Sequence, residues 1–520
     1  MTKLTRRDFL KLMVTLPVGY TLSRFLPNAL HKKAGRANND KPNVILLIFD
    51  AMSAYDLSLY GYHRKTTPNL ERFAKRANVY RAHYSTANFT VPGTSSILTG
   101  LYPWTHRALH ISGLVARNRI MQNIFGALAQ GYHRFAFSQN IMATNLLRQF
   151  QADIDELLPS SSFSEFSLVT SEYFKHDAIT AHEVQDNLLF DFADPPGSLL
   201  FGISQRVYFE WLKETGRVPP AIPQPRNYPL VYKLWRIFDG VMDILGRLPQ
   251  PYFSYIHMFS PHAPYRARKE FLGIFDDGWQ PVRKPGHILS EGETPETLEQ
   301  ERKKYDQYIA NVDFEFGRLL DHLEQTGVLD NSYLIVTSDH GELLERGVKG
   351  HMTPLLYEPL IRVPLIISSP GQKEGKEIYS PTASVDLLPT LLHAVGREIP
   401  AWAEGNLLPG LGSEEDPERE IYLLEAKSNP AFGKLSKSTF ALRKGKYKII
   451  MYHGVEAFGK DVFELYDLES DPEELTDLYE SEPILAQELK SKIIGIISIN
   501  RGRLGRGAED VSLKNQELMS

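Results

Sequence analysis

Two uninterrupted apolar runs, each followed at once by acidic residues, constrain the fold of this chain more than any other feature. The first is 43–49, NVILLIF, which leads into Asp50, and the second is 334–338, LIVTS, which leads into Asp339 and His340. Apolar runs without polar alternation are typical of strands that are buried on both faces of a parallel sheet. Two further candidate strands are 252–259 and 363–368. We therefore predict a mostly parallel sheet.

Helical patterns lie between these runs, at 69–77 and 305–325. The second places Ile309, Val312 and Phe316 at helical spacing. Strands that alternate with helices predict an α/β sandwich. Beyond residue 420 the short pieces EIYLLEA, STFALRK and YKIIMY predict a small antiparallel subdomain.

The N-terminal residues 1–37 are interpreted as a leader. Arg6 and Arg7, followed by Phe-Leu-Lys and a short apolar stretch, resemble a twin-arginine export signal. An amphipathic N-terminal helix is the alternative. The leader interpretation predicts a periplasmic or extracellular protein, with membrane contact only through the leader if it is not cleaved.

Charge and cysteine content exclude several classes of partner and site. The chain has 63 acidic and 58 basic residues, and eight of the basic ones lie in the predicted leader, so the body is distinctly acidic. An acidic body argues against nucleic acid as the main partner. Without any cysteine, the chain has no disulfide, no thiolate metal site and no cysteine nucleophile.

Composition along the chain predicts four segments. The leader is followed by a catalytic domain at 41–405, within which the aromatic and proline-rich stretch 185–250 is interpreted as an insertion. A C-terminal subdomain is predicted at 419–500, and the polar residues 501–520 are interpreted as a tail.

Charged side chains at the ends of two predicted strands point to a metal site. Open α/β sheets place their ligand sites at the carboxyl ends of strands, where Asp50, Asp339 and His340 are expected. Oxygen ligands and an imidazole together bind divalent cations. Taken alone, Asp50 is as easily explained as a helix cap or a loop acid. The two strand ends together favour a divalent metal, and its identity among Ca²⁺, Mn²⁺, Mg²⁺ and Zn²⁺ stays open.

Thr90 lies where a helix is predicted to begin. It precedes Pro92, which suits an early helical position, and Ile97 and Leu98 supply apolar side chains in the following turns. A hydroxyl at a helix N-terminus lies where an anion is favoured. The alternative, which this segment alone favours, is that Thr90 only caps the helix.

Nine motifs occur along the chain in the order found in a known family. They are NVILLIFD, TTPNLERFAK, TVPGTSSILTGLYPWTH, SPHAPY, YIANVDFEFGRLLDHLE, VTSDHGE, YEPLIRVPLII, SVDLLPTLLHAVG and LYDLESDPEELTDLY. Over about residues 41–480 the chain resembles the sulfatase family of the alkaline-phosphatase superfamily. The resemblance implies an α/β fold, namely an alkaline-phosphatase-like αβα sandwich around a mostly parallel sheet, with a small C-terminal antiparallel α+β subdomain.

The resemblance also implies roles for individual residues. Asp50, Asp339 and His340 match metal ligands of the family, and Thr90 falls at the position of the nucleophile and is expected to fill a fourth position of the metal site. His262, in SPHAPY, matches a histidine that contacts the transferred group or the leaving oxygen.

A second basic position of the family has two candidates here, His351 and Lys349, and His351 is taken as the catalytic one. His257 lies within an apolar strand and is interpreted as a packed core residue, although its spacing of five from His262 leaves a second metal site open. Asp313 matches a family position, and a structural role is predicted for it.

Two departures from the family pattern shape the functional hypothesis. The Cys/Ser-x-Pro-x-Arg core of the family reads Thr90-Val-Pro-Gly-Thr94 here, and Asp50 is followed by Ala51 where the family often has a second acid. Threonine is the nucleophile in related phosphoryl-transferring enzymes of the superfamily. A threonine sulfate ester lacks the route by which a formylglycine hydrate expels sulfate, so the chemistry favours phosphate esters.

The sequence therefore predicts an exported, metal-dependent ester hydrolase with Thr90 as its nucleophile. Phosphate mono- and diesters are favoured over sulfate esters, and the substrate is expected to be a small-molecule, glycan or lipid ester. The alternatives are a true sulfatase, a phosphoethanolamine- or phosphoglycerol-type transferase, and a catalytically degenerate sulfatase-like binding protein.

Overall fold

An eight-stranded sheet organises the larger part of the computed structural model, which describes residues 41–160, 162–163, 234–429 and 435–500. In chain order its strands are β1 (Asn43–Phe49), β2 (Asn78–Tyr80), β4 (His133–Ser138), β5 (Glu156–Leu158), β6 (Tyr252–Met258), β7 (Ser332–Thr337), β10 (Leu365–Ser368) and β11 (Lys376–Ile378). Short two-stranded pairs are formed by β3 (His83–Tyr84) with β12 (Thr382–Ala383) and by β8 (Leu344–Glu345) with β9 (Val348–Lys349).

The large sheet has the order β11-β2-β10-β7-β1-β6-β4-β5 and is mostly parallel. Its centre, β1, pairs in parallel with β6 on one side and with β7 on the other. Only β10 runs antiparallel, against β7 and β2. The carboxyl ends of β1, β6 and β7 therefore meet at one edge of the sheet.

Helices cover both faces of this sheet. Successive side chains of β1 therefore pack in two different cores, one on each face. Ile45 and Leu47 pack in the same cluster as Phe316 of the helix Pro295–Gln325. Leu46 faces the opposite cluster, which includes Leu98. The predicted αβα sandwich around a mostly parallel sheet is confirmed.

The α-helices of the described residues differ in length from 4 to 31 residues. They are Pro68–Ala74, Thr90–Thr99, Pro103–His106, Ile124–Ala127, Ile141–Gln149, Leu234–Arg247, Pro295–Gln325, Glu358–Ile361, Leu387–Ala394 and Pro483–Ile499. The helix predicted at 305–325 begins ten residues earlier, because Thr294 accepts a hydrogen bond from the Thr297 amide and Pro295 fills the first turn.

A second, antiparallel sheet follows in the chain. It contains β13 (Ile421–Glu425), β14 (Ser438–Lys444), β15 (Tyr447–His453) and β16 (Val462–Asp467), which pair in sequence order. The helix Pro483–Ile499 packs on it through Leu489 and Ile493. This is the predicted C-terminal antiparallel α+β unit.

Several predicted segments lie outside the described residues. They are the leader, the tail at 501–520 and most of the insertion at 185–250, of which only the stretch from 234 on is described. Within the described ranges, no helix has the length and apolar character needed to cross a membrane.

Candidate functional site

The carboxyl ends of three adjacent strands bring four ionisable side chains together. Asp50 follows β1, Asp339 and His340 follow β7, and His257 is the next-to-last residue of β6, in register with Ile48. All four side chains are fully buried. Ligand atoms of Asp50, Asp339 and His340 lie within 4.8 Å of one another, as the sequence predicted for strand ends at one sheet edge.

Short distances join the side-chain atoms of this group. His340 Nε2 lies 3.3 Å from Asp50 Oδ1 and 3.8 Å from Asp339 Oδ2. His257 Nε2 lies 3.5 Å from Asp50 Oδ2 and 3.6 Å from Asp339 Oδ2. We call these four residues the acid–histidine cluster.

Three atoms of the cluster lack a hydrogen-bond partner among the described residues, namely Asp50 Oδ1, Asp339 Oδ2 and His257 Nε2. Buried carboxylates without partners are costly, and such charges are normally paired or bound to a metal. Burial and the charge of Asp50 raise the pKa of Asp339, as expected for two acids at one site. Carboxylate oxygens and imidazole nitrogens that converge in this way fit a divalent cation.

The tautomer of His340 is fixed by its backbone contact. Its Nδ1–H donates to the Gly341 carbonyl at 2.8 Å, so in the neutral ring Nε2 carries the lone pair and faces Asp50. Burial lowers the pKa of His340, but the charge of Asp339 and the hydrogen bond and charge of Asp50 outweigh it and raise the pKa to about 9. A proton and a metal cation therefore compete for the same lone pair.

Thr90 is buried beside the cluster at the start of the helix Thr90–Thr99. Its Oγ1 lies 3.3 Å from His340 Nε2. The N-cap of this helix is Phe89, and no side chain caps it, so the interpretation of Thr90 as a mere cap is wrong. Gly93 permits this approach, because a Cβ there would lie 2.2 Å from the Asp339 carbonyl oxygen.

Asn140 is a residue of the site that the sequence reasoning missed. Its Oδ1 accepts from the Met142 amide at 2.8 Å and so caps the helix Ile141–Gln149. The amide group is thereby oriented, and its Nδ2 donates to Asp50 Oδ2 and, at 3.2 Å, to Thr90 Oγ1. The available signal was an asparagine between a buried strand and a helix, at the same sheet edge.

His262 and His351 form a rim next to the cluster. The ring centroid of His351 lies 4.3 Å from that of His340 and 4.8 Å from that of His262. His262 Nδ1–H donates to the Ala263 carbonyl at 2.5 Å, and His351 Nδ1 lies 3.1 Å from Glu342 Oε1. Both histidines that the family resemblance singled out thus lie at the acid–histidine cluster.

Lys349, the competing candidate, pairs instead with Glu301 at 3.0 Å, with its side chain more than a third exposed. His351 is buried and its pKa is held well below the usual range by burial, and by the charges of His340 and His262. Burial raises the pKa of Glu342 to about 7, although the charges of His262 and His340 act in the other direction.

Two further sequence interpretations have opposite outcomes. Asp313 accepts from the Asn69 and Leu70 amides at 2.8 Å each and anchors the helix Pro68–Ala74, so its predicted structural role is confirmed. His257 was interpreted as a satisfied core histidine, which is wrong, because its Nε2 lacks a hydrogen bond and faces both acids.

Comparison with protein families gives two matches. The family model described as "Sulfatase" matches residues 42–201 and 204–397. A second, described as "N-sulphoglucosamine sulphohydrolase, C-terminal", matches residues 351–497.

The names of individual relatives refer to sulfatases and to the alkaline phosphatase superfamily. The chain is 30% identical over 255 residues to a choline-sulfatase of Rhizobium meliloti (strain 1021), an alignment that covers 45% of this chain and about half, 47%, of the relative. It is 24% identical to a multifunctional alkaline phosphatase superfamily protein of Trinickia caryophylli, over 79% of this chain and 85% of that one.

Among solved structures, a phosphonate monoester hydrolase from Silicibacter pomeroyi aligns with a TM-score of 0.64 and 22% identity. The alignment covers 88% of this chain and 96% of that one, which shows that the two folds are alike.

Proposed function

This chain belongs to the sulfatase family of the alkaline phosphatase superfamily, a family of ester hydrolases, and we propose that it is a metal-dependent hydrolase whose nucleophile is Thr90. The observation that carries the proposal is the position of the Thr90 hydroxyl, 3.3 Å from His340 Nε2 at the edge of the acid–histidine cluster. A capping threonine would direct its hydroxyl at its own helix instead.

The residues that would hold the metal are Asp50, Asp339 and His340, with Thr90 beside them. When bound, a divalent cation lowers the pKa of an adjacent hydroxyl and neutralises charge on the attacked ester group. The positions of the three ligands are set before a metal binds, because each ligand follows a strand of the central sheet.

Thr90 and Asn140 perform the first step. Thr90 Oγ1 gives up its proton to solvent and attacks the phosphorus as the alkoxide, a new O–P bond forms, and the bond to the leaving oxygen breaks as that oxygen takes a proton from His262. The Nδ2–H of Asn140 points at the attacking oxygen and stabilises the negative charge that develops on it. Because the cap on the next helix holds Asn140, this donor needs no reorganisation during the reaction.

His262 and His351 are suited to opposite proton transfers. With Nδ1 at the Ala263 carbonyl, His262 has Nε2 as the nitrogen from which the leaving oxygen can take a proton. His351 stays neutral because burial lowers its pKa, and with Nδ1–H bonded to Glu342 its Nε2 accepts a proton. We assign it to the water that releases the phosphate from Thr90.

Phosphate esters are the preferred substrates in this proposal, and a small-molecule, glycan or lipid ester is the expected class. Threonine supports phosphoryl transfer directly, whereas a threonine sulfate ester has no second hydroxyl with which to expel sulfate. Sulfate esters are the second candidate, favoured by the 30% identity to a choline-sulfatase. We also propose that the twin-arginine-like leader exports the protein.

The test uses Thr90→Ala and Thr90→Ser, assayed on aryl phosphate mono- and diesters and on an aryl sulfate. We expect Thr90→Ala to abolish turnover and Thr90→Ser to keep much of the rate. Mass spectrometry of quenched wild-type enzyme should show phosphate on the peptide that contains Thr90. Accurate mass is needed, since a sulfate adduct is nearly isobaric.

Thr99→Ala is the matched control, because Thr99 lies at the other end of the same helix and its hydroxyl donates to the Ser95 carbonyl at 2.6 Å. It should retain full activity. Turnover by Thr90→Ala of any substrate that the wild type accepts would contradict nucleophilic catalysis at Thr90.

A further inference from the structure

His257 belongs to the acid–histidine cluster but lies on a strand that carries none of the assigned metal ligands. It lies on β6, whereas Asp50 follows β1 and Asp339 and His340 follow β7. Its ring is fully buried, and its Nε2 faces one oxygen of Asp50 at 3.5 Å and one of Asp339 at 3.6 Å. Apart from these acid oxygens, Nε2 has no hydrogen-bond partner among the residues that the structure describes.

The opposite nitrogen of the ring is held by a hydroxyl. Tyr255 lies two residues earlier on β6, on the same face, and its Oη is 2.9 Å from His257 Nδ1. A histidine that binds a metal typically donates its other N–H to such an outer partner, which fixes the tautomer. In the tautomer with Nδ1–H directed at Tyr255, the Nε2 lone pair faces two carboxylates, and a cation bound there would satisfy all three groups.

Ala51 explains why the site needs another donor. It occupies the position after Asp50, and its methyl group offers no ligand atom. Its amide instead points to Asp339 Oδ1 at 3.4 Å. His257 stands on the neighbouring strand, where its nitrogen supplies what position 51 does not.

We propose that His257 is a further ligand of the metal through Nε2, and that the site consequently selects a transition metal such as Zn²⁺ over Ca²⁺ and Mg²⁺. The proposal rests on the metal-dependent function proposed above. Calcium and magnesium prefer sites built from oxygen ligands alone, whereas imidazole nitrogen favours zinc. Two imidazoles and two carboxylates form a donor set that zinc accepts.

The direct test is X-ray absorption spectroscopy of the wild-type protein loaded with Zn²⁺. The scattering of imidazole rings can be counted, and we expect two rings per zinc, from His257 and His340. A single imidazole would overturn the proposal. Competition supplies a second readout, since a large excess of Ca²⁺ should fail to displace Zn²⁺. Displacement at comparable concentrations would also contradict it.

Variants then identify the second ring. Tyr255→Phe should weaken Zn²⁺ affinity about 10- to 100-fold, as loss of an outer partner of a metal ligand typically does, and His257→Gln should weaken it more, because the ligand itself is lost. In a zinc-loaded His257→Gln sample, one imidazole signal should be lost.

His83→Gln is the matched control. His83 is also fully buried, its Nδ1 lies 2.9 Å from the hydroxyl oxygen of Thr382, and its Nε2 has no hydrogen-bond partner in the described part of the chain. Among the described residues no acid forms an ion pair with His83, so this variant should bind Zn²⁺ like the wild type.

The two proposals fail in different ways. If the wild type binds no divalent metal, the proposed function is wrong. If the wild type and His257→Gln bind Zn²⁺ equally well and both show one imidazole, only the assignment of His257 is wrong. Should His257→Gln not fold, the ring count on the wild type still decides.

Discussion

Two groups of buried acids in this molecule are neutralised in different ways. At the edge of the large sheet, Asp50 and Asp339 lie side by side with histidines as their neighbours. At the contact between the large domain and the second sheet, Glu358 and Glu474 share one ammonium group, that of Lys448 on β15. We call the latter group the Lys448 cluster.

The Lys448 cluster contains its own cation. Lys448 Nζ lies 3.1 Å from Glu358 Oε1 and 2.5 Å from Glu474 Oε1, and it also donates to the Leu356 carbonyl at 3.1 Å. Burial lowers the pKa of Lys448, but the charges of Glu474 and Glu358 outweigh it and raise the pKa. A group of this kind needs no bound ion, because a lysine of the chain itself supplies the positive charge. Its role is therefore structural.

The acid–histidine cluster has no lysine or arginine in contact with its acids among the described residues. Buried acids alone therefore do not indicate a metal site. The informative feature is a set of buried acids whose neighbours are rings with lone pairs.

The largest expected effect separates the two groups by activity. Asp339→Asn should lose the metal and lower turnover about 10³-fold or more, because metal assistance contributes several kcal/mol to catalysis. The metal-free variant should be at least as stable as the metal-free wild type, since one of two adjacent buried charges is gone. Elemental analysis and thermal unfolding check these points.

Glu474→Gln, the matched change in the Lys448 cluster, should keep metal and turnover. An equal loss of metal and turnover in both variants would contradict the assignment of the metal to the acid–histidine cluster.

The second expected effect is on stability. Lys448→Met leaves Glu358 and Glu474 buried without their cation, and breaking a buried pair in this way costs about 3–5 kcal/mol. Denaturant unfolding measures the loss, while metal content and turnover of the folded protein should be unchanged. Lys437→Met removes an exposed partner of Glu456 and should change stability little. Loss of bound metal in Lys448→Met would show that the two groups are coupled.

The smallest expected effect concerns pH. Burial and the charge of Arg419 lower the pKa of His83 to about 3, so its contribution to stability is present above pH 6.5 and is lost as the pH falls toward 3. Between pH 6.5 and 5.5 the loss is about 1 kcal/mol, and His83→Gln should remove it. His340 behaves oppositely in metal-free protein, because its raised pKa gives stability that is lost as the pH rises through about 9. Unfolding curves measured from acid pH to above pH 9 check both expectations, the loss of stability at acid pH from His83 and the loss at alkaline pH from His340. A pH-independent stability in the wild type would contradict them.

Much of the fold was predictable because apolar runs report burial on both faces of a strand. The run 43–49 is β1 without any change of bounds, and 438–444 is β14. The predicted strand at 363–368 begins at Leu365 instead, since Pro364 cannot donate a ladder hydrogen bond. The first ten residues of the long helix were not predicted, because polar residues there obscure the helical spacing of the apolar ones.

The site was predictable where a ligand follows a strand, as Asp50 and Asp339 do. His257 was not, because an imidazole inside an apolar strand gives the same pattern whether it packs or binds. Asn140 was not, because an N-cap asparagine serves its own helix in most proteins. What distinguishes both residues is one side-chain nitrogen, Nε2 of His257 and Nδ2 of Asn140, which faces the acids at the sheet edge and is visible only in three dimensions.

The central place of β1 has a consequence for synthesis on the ribosome. Its neighbours β6 and β7 begin at residues 252 and 332, so at ordinary elongation rates the finished NVILLIF segment waits about 10 to 40 s for its first partner. A seven-residue apolar segment of this kind, without charge or proline, is prone to aggregation while it waits. Its seven positions are all buried in the folded protein, so none of them offers room for a protective charge.

The protection must therefore come from the residues that flank the segment. Asp50 is the charged residue immediately after it, and Lys41 stands two positions before it. Charges at such flanks act as gatekeepers against the stacking of nascent chains. Before Asp50 meets any cation, its negative charge thus already stands at a position where such gatekeepers act.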